Sequence, residues 1–182
     1  IIGNPPYIQL QKSLNDGSDK KYGDIYEDQG YETFKKTGDI YCLFYELGIN
    51  LLKDSGSLSY ITSNQWMKTD YGDKLRKLFT KNNPKTFIDF GEYEAYDSAT
   101  VNTNVILIEK KTNDNNLHAV RIEKDFVEGK DLHEYFVQNK VSKFGLSESS
   151  WIIGNKVEFN LKRKLEEIGL NLKNWDINLN RG

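Results

Sequence analysis

Cysteine is nearly absent from this 182-residue sequence. The single Cys42 excludes an internal disulfide and any cysteine-cluster zinc site. Histidine is almost as rare. His118 and His133, the only two, have no local partners and read as structural, so no metal site is expected. Long apolar runs are missing: no stretch of 18 apolar residues could span a membrane, and the first residues carry no signal-peptide pattern. Together with the lone cysteine, this points to a reducing cytoplasm. A surplus of positive charge is lacking too. The net charge is −2 and the pI about 5.8, unlike a free-standing nucleic-acid binder. What is plentiful is aromatic: 3 Trp, 11 Tyr and 9 Phe exclude a disordered tail and supply a core. The chain opens in an apolar run, Ile1-Ile2-Gly3, and ends in Asn180-Arg181-Gly182. Both ends read as cuts from a longer protein, and the length fits one domain.

Along the chain, Ile1 and Ile2 read as the end of a buried strand. Residues 11–38 read as a long polar loop with a helical turn at Tyr31–Lys36, a length that is usually functional or partly disordered. Residues 39–53 read as a helix capped by Asp39, with Ile40, Leu43, Phe44, Leu47, Leu51 and Leu52 near one stripe. Residues 57–62 alternate as a strand. A second helix runs from a Thr69 or Asp70 cap to about Lys81, buries Leu75, Leu78 and Phe79, and stops at Asn82-Asn83-Pro84. Residues 86–90, 101–109 and 118–122 read as strands, the second apolar enough to be covered on both faces. A last helix, 155–168, is expected to turn Val157, Phe159, Leu161, Leu165 and Ile168 inward. Alternating strands and helices give the α/β class, one half of a doubly wound sheet.

Only three prolines occur, and two are adjacent in Asn4-Pro5-Pro6-Tyr7, directly after the first strand. In open α/β sheets ligands sit at the carboxyl ends of strands, where this turn lies. Its chemistry is specific. An amino group conjugated to a ring or carbonyl is a poor nucleophile, because its lone pair is delocalised. A site helps by accepting both N–H groups. The Asn4 side-chain oxygen is one acceptor and the Pro5 carbonyl the other. Pro5 and Pro6 have fixed φ and no N–H, and the residue before a proline is held extended, so that carbonyl keeps one direction. Tyr7 offers a flat face to a planar substrate.

This turn resembles the catalytic motif of amino-group methyltransferases that use S-adenosylmethionine. Asp39-Ile40-Tyr41-Cys42-Leu43-Phe44, then Leu51 to Thr62, is similar to the next blocks of DNA adenine-N6 methyltransferases. Asn64-Gln65-Trp66-Met67, Tyr71 to Arg76 and Phe87-Ile88-Asp89-Phe90-Gly91 continue the match. The likeness is strongest to the methyltransferase part of bifunctional type II restriction–modification enzymes. It is good over 1–110 and weaker beyond. It implies a Rossmann-like class I methyltransferase sheet, of which this chain is the C-terminal half. Residues 1–110 would be the catalytic half, and 111–182 the end of that domain with a connector toward a target-recognition domain. It implies double-stranded DNA as partner, a fused nuclease, and a prokaryotic cytoplasm. Asn4 and Pro5 would hold an adenine amino group, with Pro6 stiffening the turn. Tyr7 would stack on the flipped base, and Tyr96 would pack against it, with Tyr93 as the substitute. The family's glycine-rich donor motif lies upstream of Asn4, so this piece alone is expected to be inactive. Methylation of RNA or of a protein glutamine amide, and a non-catalytic DNA-binding module, are the competing expectations.

Other features read plainly. Asn64 and Gln65 stand where they would line a cleft, while Trp66 reads as packing, as does Cys42. Glu128-Gly129-Lys130 matches half of a nuclease motif, but Asp114 and Asp125 follow no clear strand, so it reads as coincidence. Lys20-Lys21 and Lys35-Lys36 lie in the long loop, where contact with DNA phosphates is open to them.

Overall fold

The computed structural model describes residues 1–91, 102–123, 126, 131–144, 146, 150–154 and 156–170. Six strands form one sheet: β1 (Ile2–Gly3), β2 (Ser57–Ser63), β3 (Asn83–Asp89), β4 (Thr103–Glu109), β5 (Leu117–Arg121) and β6 (Val141–Phe144). Their order is β1-β2-β4-β3-β5-β6. β1 and β2 run parallel, as do β3 and β5, and β4 is wedged antiparallel between β2 and β3. The carboxyl ends of β1, β2, β3 and β5 therefore share one end of the sheet with the start of β4. That end gathers Asn4, Asn64, Gly91, Asn102 and Ile122.

Between β1 and β2 the chain forms helices α1 (Tyr22–Tyr26) and α2 (Ile40–Leu51), and between β2 and β3 it forms α3 (Asp73–Lys81). Asp39 caps α2 as expected, its side chain accepting from the Tyr41 N–H. The buried face of α2 differs from the expected stripe. Tyr41, Tyr45 and Ile49 enter the core, while Leu47 and Leu51 are 42% and 69% exposed. Tyrosine can do this because each hydroxyl finds a partner: Tyr41 pairs with Tyr71 Oη at 2.8 Å and Tyr45 with Thr62 Oγ1 at 3.0 Å. A short 3₁₀ turn, Asp70–Gly72, follows Thr69, whose hydroxyl donates back to the Gln65 carbonyl rather than capping it, and precedes α3, which buries Leu75 and Phe79. Below them Trp66, Phe79, Phe87 and Trp151 meet largely edge to face, with centroids 5.0–6.0 Å apart. Trp66 and Cys42 are packing residues, as expected, and burial pushes the Cys42 thiol well above its ordinary range.

Several expectations need correction. β3 begins at Asn83, so Asn83 and Pro84 end the helix and open the strand. Pro84 is tolerated there because the register shifts between Pro84 and Thr86. β4 is buried on one face only: Asn104, Ile106 and Ile108 are covered, while Val105 and Leu107 are half-buried. Segment 11–38 is not a loose loop. It contains α1 and a 3₁₀ turn, Glu27–Gln29. Leu10, Ile40 and Leu43 form a small core with Tyr22, Tyr26, Tyr31 and Phe34 packed on it. Glu46 on α2 pins the segment, accepting from the Glu32 and Thr33 N–H groups at 3.0 and 2.8 Å. The Thr33 hydroxyl adds a contact of 2.7 Å.

Besides α1, two elements escape the sequence reading, helix α4 (Leu132–Asn139), capped by Asp131, and β6. Helix α5 (Lys156–Ile168) forms where expected. Its Val157, Leu161, Leu165 and Ile168 point outward, 57–76% exposed, because the core closes without them. Among the described residues no helix is long and apolar enough to cross a membrane.

Candidate active site at the carboxyl ends of the strands

Asn4 follows β1 without a break. Asn4 and Pro6 are exposed, Pro5 is buried, and Tyr7 is half-buried. Beyond the turn the chain pairs with the entrance to α2. The Ile8 N–H donates to Asp39 Oδ1 at 3.0 Å, the Ile40 N–H to the Ile8 carbonyl at 2.9 Å, and the Leu10 N–H to the Gly38 carbonyl at 2.9 Å. Gln9 faces Asp39 as an antiparallel bridge.

Between this strap and the ends of β2 and β4 lies a cleft of about 560 Å³. Tyr7, Asp39, Ser63, Gln65, Tyr71 and Asn102 are among its lining residues, and Gln9 and Lys12 stand at its wall. Of the expected turn residues, Tyr7 lines the cleft; Asn4 and Pro5 are not in its lining. Gln65 lines it as the sequence suggested. Tyr93, Tyr96, Asp125 and Glu128-Gly129-Lys130 fall outside the described residues. Lys35 and Lys36 are engaged in ion pairs with Asp73 and Glu27, at 2.7 and 2.8 Å.

Tyr7 is held from two sides. Its ring meets Tyr41 edge-on at 6.1 Å, and its hydroxyl reaches the Ile61 carbonyl at 3.4 Å. Beneath the cleft, Asn104 is fully buried and donates to the Ser63 carbonyl at 2.9 Å, while its Oδ1 has no hydrogen-bond partner. Burial raises the carboxyl of Asp39 to about 6, against three main-chain N–H groups that favour its charged form. Beside the cleft, Asp89 accepts from Asn64 Nδ2 at 2.8 Å and the Gly91 N–H at 3.0 Å. Among the described residues no group of three or more His, Cys, Asp or Glu side chains is placed to hold a metal ion.

The arrangement is polar, aromatic and open to solvent, suited to a planar group carrying hydrogen-bond donors. Sequence reasoning missed Asp39, Ser63, Tyr71 and Asn102 as lining residues. They come from four separate segments, and the signal that joins them is the strand order, which places β4 next to β2.

Residues 1–96 match the family model described as Eco57I restriction-modification methylase. The chain is 30% identical over 174 residues to the type II restriction enzyme and methyltransferase RM.Eco57I of Escherichia coli, covering 93% of this chain and 17% of that protein. It is 37% identical over 82 residues to the type II methyltransferase M.BstVI of Geobacillus stearothermophilus, covering 45% of this chain and 14% of that one. Among solved structures, the type IIL restriction-modification enzyme MmeI, in complex with DNA, superposes with a TM-score of 0.57 at 14% identity, over 84% of this chain and 20% of that one. The methyltransferase subunit of a type I restriction-modification system from Streptococcus thermophilus gives 0.52 at 19% identity, over 71% and 27%. These likenesses carry the fold, a partial class I methyltransferase sheet. The chain spans about a sixth of the length of the Escherichia coli relative.

Proposed function

Since the chain belongs to the Eco57I restriction-modification methylase family, we propose that the protein carrying it transfers a methyl group from S-adenosylmethionine to the N6 amino group of an adenine in DNA. The observation that carries this is Asn4-Pro5-Pro6-Tyr7 at the carboxyl end of β1, with Tyr7 lining the cleft of about 560 Å³ beside it. The adenine is flipped out of the duplex, because N6 is inaccessible to a methyl donor while the base is stacked. The Asn4 amide oxygen and the Pro5 carbonyl accept hydrogen bonds from the two N6–H groups. This draws the nitrogen lone pair out of conjugation and turns it toward the donor. Pro6 keeps the Pro5 carbonyl aimed. Tyr7 stacks on the base, and Tyr96 packs against it.

The donor supplies an electrophilic methyl group, so no strong base is needed and the amino proton leaves after transfer. Among the described residues no glycine-rich strand–turn–helix is available to grip that donor, and the contribution of these residues is to the acceptor. Residues 1–110 form the catalytic half, and 111–182 the end of the same domain with a connector toward target recognition. Double-stranded DNA is the partner, and a nuclease and a target-recognition domain complete the protein in a bacterial cytoplasm.

The test is product analysis. The full-length protein is incubated with labelled S-adenosylmethionine and unmethylated DNA, and the nucleosides are separated. N6-methyladenine is expected. Label at cytosine, in RNA or on a protein glutamine would overturn the substrate assignment, and label nowhere with DNA still bound would leave a binding module.

A further inference from the structure

Pro5 and Pro6 lend no N–H, so the main-chain bonds that hold the turn come from β1 before it and from the segment after Tyr7. Asp39 fastens that segment. This residue is 9% exposed and lies on the cleft wall with Tyr7 and Tyr71. One oxygen, Oδ1, accepts from the Ile8 N–H at 3.0 Å and from the Tyr41 N–H at 3.4 Å. The first donor is the peptide next after Tyr7, and the second belongs to the first turn of α2. The bonds from Ile40 to Ile8 and from Leu10 to Gly38 extend the same fastening along the strap. Tyr41, the residue Asp39 caps, is also the ring against which Tyr7 stands, and its hydroxyl is tied to that of Tyr71 on the cleft wall. One carboxylate thus joins the exit of the turn to the ring that supports Tyr7.

We propose that Asp39 is a positioning residue, whose oxygen fixes the segment leaving the turn against the start of α2 and so sets where Tyr7 stands in the cleft. The inference rests on the proposed function, in which Tyr7 meets the target base. The fastening needs an acceptor, not a charge. Around the carboxyl stand the Tyr41 and Tyr71 hydroxyls and the Cys42 thiol, all neutral, with Lys12 the cation on the cleft wall. A protonated carboxyl keeps its carbonyl oxygen, and asparagine presents the same atom and caps helices equally well.

Two variants of the full-length protein decide it, Asp39→Ala and Asp39→Asn, each compared with the parent in single-turnover methyl transfer, DNA affinity and amide hydrogen exchange. Asp39→Ala is expected to slow transfer about 10–100-fold, the scale of a misplaced site group, with DNA affinity little changed. Asp39→Asn is expected to restore the rate, with the same pH profile as the parent. Exchange at residues 8–10 is expected to quicken in the alanine variant alone, with β2 and β4 still protected. A full rate in Asp39→Ala, or a slow rate in Asp39→Asn, overturns the positioning role. The exchange comparison is independent of turnover. If the parent transfers no methyl group, the proposed function fails, while unchanged exchange at residues 8–10 would overturn the fastening itself.

Discussion

Replacing Asp39 by asparagine should make the protein more stable at neutral pH, although Asp39 makes two main-chain hydrogen bonds. The carboxyl is 9% exposed, and burial lifts it from 3.8 to about 6. The sign follows from linkage. Between about pH 4 and pH 6 the folded chain keeps a proton that the unfolded chain has released, so stability falls as pH rises through that window. Above it, the ionised group has cost roughly 3 kcal/mol, at about 1.4 kcal/mol for each tenfold change in proton affinity. Asparagine keeps the oxygen that Ile8 and Tyr41 bond to and carries no charge to desolvate. The variant and its parent should therefore match near pH 4 and diverge to roughly 3 kcal/mol near pH 8, or about 6–12 °C in Tm for a domain of this size. Urea titrations followed by tryptophan fluorescence read the difference, because Trp66 and Trp151 are both buried in the aromatic core. Other carboxylates cancel between the two proteins. A difference that stays flat with pH, or an asparagine variant less stable at pH 8, would refute the burial argument.

Three further outcomes rest on the packing. In Gly72→Ala the new Cβ would fall on the Trp66 carbonyl oxygen and within 2.7 Å of the Trp66 Cα, main-chain atoms that cannot rotate away. That carbonyl also accepts from the buried Arg76 at 2.5 Å, so a loss of about 3–5 kcal/mol is expected in denaturant titrations. Glu46→Ala strips the acceptor from two N–H groups of segment 11–38, costing roughly 2–4 kcal/mol, and limited proteolysis should then cut within 31–38. Tyr7→Phe removes the hydroxyl that reaches Ile61 but keeps the ring and should keep methyl transfer, whereas Tyr7→Ala removes a stacking face worth about 1–3 kcal/mol. Fluorescence of 2-aminopurine at the target position would show the flipped base less populated in the alanine variant alone.

Much of the sheet is legible in the sequence because its strands are bounded by strong punctuation. Gly56 precedes β2, Asn82 precedes β3, and the Asp39 cap of α2 is evident to the residue. The twisted face of α2 is not legible: periodicity favours leucine over tyrosine, and only the partners Tyr71 and Thr62 show why Tyr41 and Tyr45 go inside. Segment 11–38 escapes for a related reason. Its polar composition reads as loop, but Glu46 and the small core around Leu10 hold it, and both are long-range contacts. Helix α5 shows the reverse error, an apolar stripe whose periodicity is right and whose burial is not. At the site, the turn itself can be recognised from four residues. The cleft cannot, because Ser63, Tyr71 and Asn102 meet Tyr7 only once β4 has been placed beside β2.

The central claim is that the turn after β1 activates an adenine amino group. Its most direct test is the single-turnover methylation rate of the full-length protein carrying Asn4→Ala, with DNA affinity measured in parallel. Asn4 is exposed, so the substitution leaves the core untouched. Loss of one preorganised acceptor is expected to lower the rate by about 100–1,000-fold, with DNA affinity within about threefold of the parent. An Asn4→Ala protein that forms N6-methyladenine at the parent rate would contradict the account.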